Sequence, residues 1–200
     1  MIEPAARQRP TAPVVVYLGL GTNLGDRLGH LRQALFALST HPEIEVTGVS
    51  RVYETEYVGP GSQDPYYNAC LEITTRLRPQ VLLAVLKGTE ERLGRPPQGH
   101  MQPRPIDLDI LLYGDLEILE NGLCIPHKHM RQRAFVLEPL AEIGAGKVFP
   151  DSGETIAEAC AKIRRKSGPW IRALTDIRLL AAGSESNKED WRAALAVHCR

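Results

Sequence analysis

Val14-Val15-Val16-Tyr17-Leu18, followed at once by Gly19-Leu20-Gly21-Thr22-Asn23-Leu24-Gly25-Asp26, is where the chain first commits to structure. A short, continuous, β-branched apolar run is the pattern of a strand buried on both faces. The glycine-rich stretch reads as a tight turn. Leu28, Leu31, Leu35 and Leu38 then recur at helical spacing, with Asp26 near the positive N-terminal end. Pro42 ends that helix, and Ile44 to Tyr57, rich in Val, Thr and Tyr, reads as one long strand. Residues 59–66 are a Gly/Pro breaker cluster and therefore a loop. Ala69, Leu71, Ile73 and Thr75 alternate with Cys70, Glu72 and Thr74, which predicts a strand with one wet face. Pro79 opens a second helix, with Leu82, Val85, Leu86 and Leu93 facing inward. After a second Gly/Pro loop, Gly94 to Pro105, the chain returns as a strand over Ile106–Tyr113. The order β-α-β-β-α-β is the split βαβ arrangement of ferredoxin-like α+β folds.

Around this core, residues 1–13 carry three prolines and no periodicity, so a flexible leader is expected there. Beyond it the reading predicts a hairpin over 115–125, a helix over Val136–Ile143 and another starting near Glu154. Gly183 to Asn187 reads as a linker, and Ser186 with Glu189 as a capping box before a short Trp191/Leu195 helix. The division expected is a leader 1–13, a main domain 14–165 and a C-terminal extension 166–200 with a short helix. The 200 residues carry 24 Lys+Arg against 24 Asp+Glu, a balance that argues against bulk nucleic-acid binding. No apolar run approaches the ~20 residues that span a bilayer. Four scattered cysteines read as reduced thiols of a cytoplasmic protein, expected to be a monomer acting on small molecules, without nucleic acid or membrane as partner.

Asp107-Leu108-Asp109 is the strongest chemical feature. In a strand, Ile106, Leu108 and Ile110 point one way and both aspartates the other. Two like charges on one face repel, and a cation between them removes the repulsion. Oxygen ligands without His or Cys alongside favour Mg²⁺ over Zn²⁺; a solvated strand face is the alternative. Arg104 precedes the pair, Arg95 stands at the far end of the same loop, and His127-Lys128-His129-Met130-Arg131-Gln132-Arg133 follows. A divalent metal ringed by such side chains suits a polyphosphate. A zinc site at His127 and His129 lacks a third soft ligand. Gly19-x-Gly21-x-x-x-Gly25 departs from both nucleotide-loop patterns, which leaves its glycines as turn formers. Tyr66-Tyr67-Asn68 and Phe135 suit either core packing or a flat, hydrogen-bonding heterocycle.

Gly21-Thr-Asn-Leu-Gly-Asp26, Tyr53-Glu-Thr55, Tyr66-Tyr-Asn68, Pro103-Arg-Pro-Ile-Asp-Leu-Asp-Ile-Leu-Leu-Tyr-Gly114 and Pro126-His127…Arg133-Ala-Phe135 occur in this order. Together they resemble the 6-hydroxymethyl-7,8-dihydropterin pyrophosphokinase family over about residues 14 to 165. The resemblance implies a ferredoxin-like fold and transfer of the β,γ-diphosphate of ATP to the pterin hydroxymethyl group, leaving AMP, in folate biosynthesis. It implies that Asp107 and Asp109 bind two Mg²⁺ ions and that, with Arg95 and Arg104, they are catalytic. It places Glu90, Arg95, Arg104, Ile110, His127, Lys128 and Arg133 at ATP, and Thr55, Val58, Tyr66, Asn68, Met101 and Phe135 at the pterin. The sequence departs from the family at His100-Met101, where Arg-Trp is common, at Lys128, which replaces an aromatic, and at Glu56-Tyr57, which replace a Pro-rich pair. The loops 59–66 and 94–104 are expected to close over both substrates. A ferredoxin-like binding module is the rival from another class, since fold alone does not assign function.

Overall fold

The computed structural model describes residues 9–96, 102–120, 122–165, 168–175, 177 and 179. The elements are β1 (Val14–Thr22), α1 (Arg27–Ser39), β2 (Ile44–Val49), β3 (Tyr53–Thr55), β4 (Tyr66–Thr75), α2 (Pro79–Arg92), β5 (Asp107–Tyr113), β6 (Ile118–Glu120), β7 (Leu123–Ile125), α3 (Ala134–Gly144), α4 (Ile156–Arg164) and β8 (Ile171–Ala173). The main sheet runs β5-β1-β4-β3-β8, with β2 also paired to β4, and every pairing is antiparallel. β1 thus lies between β4 and β5, and the site forms at its C-terminal end.

Alternation along the strands divides the interior in two. Val16, Leu18 and Leu20 of β1 and Leu108 of β5 pack with Leu31 and Leu35 of α1 and Leu82 and Leu86 of α2. Tyr17, Cys70, Leu111 and Leu112 pack on the opposite face with Leu137 and Leu140 of α3 and Ile156 and Cys160 of α4, the adjacent Leu111 and Leu112 sharing it because β5 bulges opposite Tyr17/Leu18. Asp26 caps α1 by accepting from the Gly29 N–H at 2.9 Å, as its position predicts. Thr155 and Glu158 form a capping box that starts α4 one turn before Cys160. The predicted hairpin is β6–β7.

Three expectations need correction. The long strand Ile44–Tyr57 is two strands. Their break at residues 50–52 begins at Ser50, whose N–H still donates to the Cys70 carbonyl at 3.0 Å but whose hydroxyl takes the Cys70 N–H at 2.8 Å and donates to the Arg51 carbonyl at 2.8 Å. The face of β4 expected to be wet is covered around Cys70, because α3 lies on it and the Cys70 thiol donates to the Val136 carbonyl at 3.7 Å. The segment after residue 165 is not set apart from the main sheet, since β8 pairs with β3 from Tyr53↔Ala173 to Thr55↔Ile171. The Gly183–Asn187 linker, the Trp191/Leu195 helix, Met101 and residues 1–8 of the leader lie outside the described residues.

Candidate active site

Gly19 and Gly21 sit inside β1, opposite Asp109 and Asp107 of β5 on one side and Cys70 and Asn68 of β4 on the other. They are strand residues, not turn formers; only Gly25, at φ 64°, takes the left-handed turn conformation. With no side chains at 19 and 21, the middle of the sheet is a bare floor. A methyl at Gly21 would stand 3.2 Å from Asn68 Oδ1, and one at Gly19 3.3 Å from the Leu111 side chain. The floor opens into a cleft of ≈ 190 Å³ with aspartates along one wall and Asn68 along the other.

On the acidic wall, strand alternation works as predicted: Ile106, Leu108 and Ile110 enter the core and both aspartates face the cleft. Asp107 is gripped by Arg95, and by Arg104 at 2.8 Å. Burial pushes its carboxyl up, but Arg95 and Arg104 outweigh this and hold it below the usual carboxylate range. Asp109 has weaker neighbours, Lys87 at 3.8 Å and His127 at 4.0 Å. Burial and the charge of Asp107 push its carboxyl up. Burial lowers the His127 imidazole, favouring its neutral form.

Glu90 does not reach the cleft. It is 3% exposed at the outer edge of β5, where it accepts from the Leu108 N–H at 2.6 Å and from Lys87 at 2.7 Å. It also pairs with Arg95 at 2.9 Å, and so aims that guanidinium at Asp107. The Ile110 side chain is core, leaving only its main chain for a ligand. Lys128 lines a separate surface groove with Glu117, Leu119 and Asp151, so the structure does not bring its side chain to the cleft. His127 and Arg133 do line the cleft.

The opposite wall holds Thr55, Val58, Tyr66, Asn68 and Phe135 together, with Glu56 and Tyr57 beside them. Asn68 donates to the Thr55 hydroxyl at 2.8 Å, both residues being nearly buried. Tyr66 stacks on Tyr57 with ring centres 6.1 Å apart, and burial pushes its phenol up.

Sequence reasoning missed Lys87, whose ammonium also meets the Leu108 carbonyl at 3.0 Å, and Asn23. The Asn23 amide donates to Gln63 at 3.0 Å and accepts from the Arg104 N–H at 2.9 Å, while its own N–H donates to the Arg104 carbonyl at 3.2 Å. One buried side chain thus ties the loop after β3 to the loop before β5. Its place in the Gly-rich turn was the available signal. A polar residue that must be buried there needs several partners.

Paired carboxylates that need neutralising, with guanidinium groups poised beside them, fit a transferase of the kinase class better than a scaffold that only binds. Residues 17–145 match the family model described as 7,8-dihydro-6-hydroxymethylpterin-pyrophosphokinase (HPPK). The 2-amino-4-hydroxy-6-hydroxymethyldihydropteridine pyrophosphokinase of Methylorubrum extorquens is 42% identical over 147 residues, spanning 74% of this chain and 92% of that one. Its namesake from Bacillus subtilis is 42% identical over 156 residues, 77% and 93% of the two chains. The chain therefore belongs to the 7,8-dihydro-6-hydroxymethylpterin-pyrophosphokinase family. It also matches the bifunctional protein FolKE of Lactococcus lactis subsp. cremoris, 40% identical over 183 residues but only 52% of that protein's length. Among solved structures, Plasmodium falciparum HPPK-DHPS with pterin and p-hydroxybenzoate superposes with a TM-score of 0.62 at 17% identity, a likeness of fold covering 80% of this chain and 45% of that one.

Proposed function

We propose that this chain transfers the β,γ-diphosphate of ATP to the hydroxymethyl group of 6-hydroxymethyl-7,8-dihydropterin, yielding AMP and the pterin diphosphate, a step of folate biosynthesis. The register of β1 carries this reading. Gly21 lies between Asp107 and Asn68, so a carboxylate wall and an aromatic, amide-bearing wall face each other across one bare strand. If β2 and β3 are counted as one broken strand, the sheet order is fourth-first-third-second, which supports a ferredoxin-like fold.

In this reading the pterin ring lies between the flat faces of Tyr66 and Phe135, with Asn68 and Thr55 at its polar edge and Val58 at the mouth. Arg95, Arg104, His127 and Arg133 hold the triphosphate, Ile110 offers its main chain to the nucleotide, and Glu90 acts through Arg95. Lys128 is assigned to ATP by the family pattern alone. Two carboxylates, with no group of three His, Cys, Asp or Glu side chains placed to hold a metal among the described residues, suit Mg²⁺, which retains waters and takes phosphate oxygens. Asp107 and Asp109 would hold two such ions; bound, they neutralise phosphate charge and lower the pKa of a coordinated hydroxyl. The walls orient the hydroxymethyl oxygen toward the β-phosphorus, and Asp109, which faces the cleft, would accept the hydroxyl proton.

Among the described residues no helix is long and apolar enough to cross a membrane. Free thiols at Cys70, Cys124 and Cys160 support a reducing, cytoplasmic setting, and zero net charge supports small molecules rather than nucleic acid as partners; a monomer belongs to the same proposal. The deciding assay incubates the purified chain with ATP, Mg²⁺ and the pterin and separates the nucleotides. Pterin-dependent AMP in a one-to-one ratio with pterin diphosphate is expected; ADP, or no turnover, would refute the reading.

A further inference from the structure

Residues Glu54, Tyr67 and Arg172 form one row across β8, β3 and β4, on the face of the sheet away from the cleft. Glu54, only 14% exposed, pairs with Arg172 at 2.6 Å and with Arg27, the first residue of α1, at 3.4 Å. Arg27 lies over the Tyr67 ring at 3.8 Å and donates to the Pro65 carbonyl at 2.8 Å, the last residue before β4. At the other end of the same loop, the Glu56 N–H donates to the Trp170 carbonyl at 3.2 Å, just ahead of β8. Both ends of the 56–65 loop are thus fastened to one assembly of β8, Glu54 and Arg27.

Alternation makes this assembly matter for the cleft. Thr55, Tyr66 and Asn68 are the immediate chain neighbours of Glu54 and Tyr67 and point to the opposite side. A three-residue strand such as β3 makes few ladder bonds, and β8 turns it from an edge into an interior strand. We propose, on the reading of the cleft as a pterin site, that β8 and the Arg172–Glu54–Arg27 row brace the 56–65 loop, making Glu54 and Arg172 positioning residues for the pterin. Neither touches the substrate. They hold the wall that does, and small displacements of such a wall weaken binding of the group it contacts.

The test uses the full chain with Glu54→Gln, which keeps size and removes the charge, with Arg172→Ala and with Arg172→Lys. Initial rates of AMP formation are measured against each substrate, and hydrogen exchange of residues 56–65 is followed without ligand. Glu54→Gln and Arg172→Ala should raise the pterin KM about three- to tenfold, leave the ATP KM and kcat within about twofold and speed loop exchange. Arg172→Lys should restore most of the pterin KM. A pterin KM and loop exchange unchanged in both variants would overturn the brace, as would equal rises in both KM values. A wild-type chain that makes no pterin-dependent AMP would overturn the underlying assignment instead, and the brace with it.

Discussion

Replacing Asn68 by alanine isolates the polar edge of the pterin wall. Asn68 is 6% exposed and Thr55 2%, and they share a 2.8 Å hydrogen bond. Truncation removes the amide and leaves the Thr55 hydroxyl without it, which costs about 1–3 kcal/mol of fold stability. For a domain of this size that is roughly a 3–10 °C fall in Tm. The pterin loses its partner at the same edge, again about 1–3 kcal/mol, so its affinity should fall roughly five- to 150-fold. In the proposed reading ATP faces the β5 wall, so it should bind within about twofold of wild type. Calorimetry with the pterin and with an unreactive ATP analogue separates the two, and a thermal melt reads the stability. The double variant Asn68→Ala/Thr55→Val removes both partners and should recover part of the lost Tm but none of the pterin affinity. An ATP affinity that falls as far as the pterin affinity would refute the placement of Asn68, and so would a pterin affinity that does not move.

Asp109→Ala should lower the rate of AMP formation by about three orders of magnitude with a Tm close to wild type, because its ion pairs at 3.8 and 4.0 Å are long; chelation with EDTA should abolish turnover and added Mg²⁺ restore it. The Asp107 carboxyl is held below its unfolded value, so it contributes stability that is present above about pH 4 and lost as pH falls through its folded pKa. Chemical denaturation across acid pH should show that loss in wild type, and a flatter acid limb in Asp107→Asn. Gly21→Ala sets a methyl 3.2 Å from Asn68 Oδ1 and should weaken pterin binding several-fold by calorimetry, with little change for the ATP analogue. Asn23→Ala removes the tie between the two loops and should expose both to faster hydrogen exchange, read by mass spectrometry.

Local pattern carries as far as local physics reaches. Period-two alternation over Ile106–Tyr113 is enough to put both aspartates on one face, because a buried partner face fixes the register. The leucines of α1 and the existence of α3 and α4 follow from spacing in the same way, although α3 starts at Ala134 rather than Val136 and α4 at Ile156 rather than near Glu154. What depends on distant partners is illegible. Nothing near Ser50 announces that its hydroxyl will take the Cys70 N–H and split the strand. Cys70 reads as wet until α3, more than sixty residues later, is laid over it. The family resemblance assigns Glu90 to the nucleotide, yet its burial against Leu108, Lys87 and Arg95 emerges only once α2 is packed on the edge of β5. The pairing of β8 with β3 joins segments that share no sequence signal, for an edge strand is chosen by what remains uncovered after the rest has folded.

The covered thiol of Cys70 gives the molecule an internal clock. Burial pushes it far above its ordinary ionisation range, and at 1% exposure between the cleft it lines and α3 a thiol reagent can modify it only when the packing around it opens. Cys124, half-buried in the hairpin, offers a faster-labelling reference on the same chain. The ratio of the Cys70 labelling rate in the folded chain to its rate in the unfolded chain gives the free energy of the opening that exposes it. Following that ratio while pterin is titrated would report how firmly an occupied cleft locks the layer beneath it, with no turnover needed.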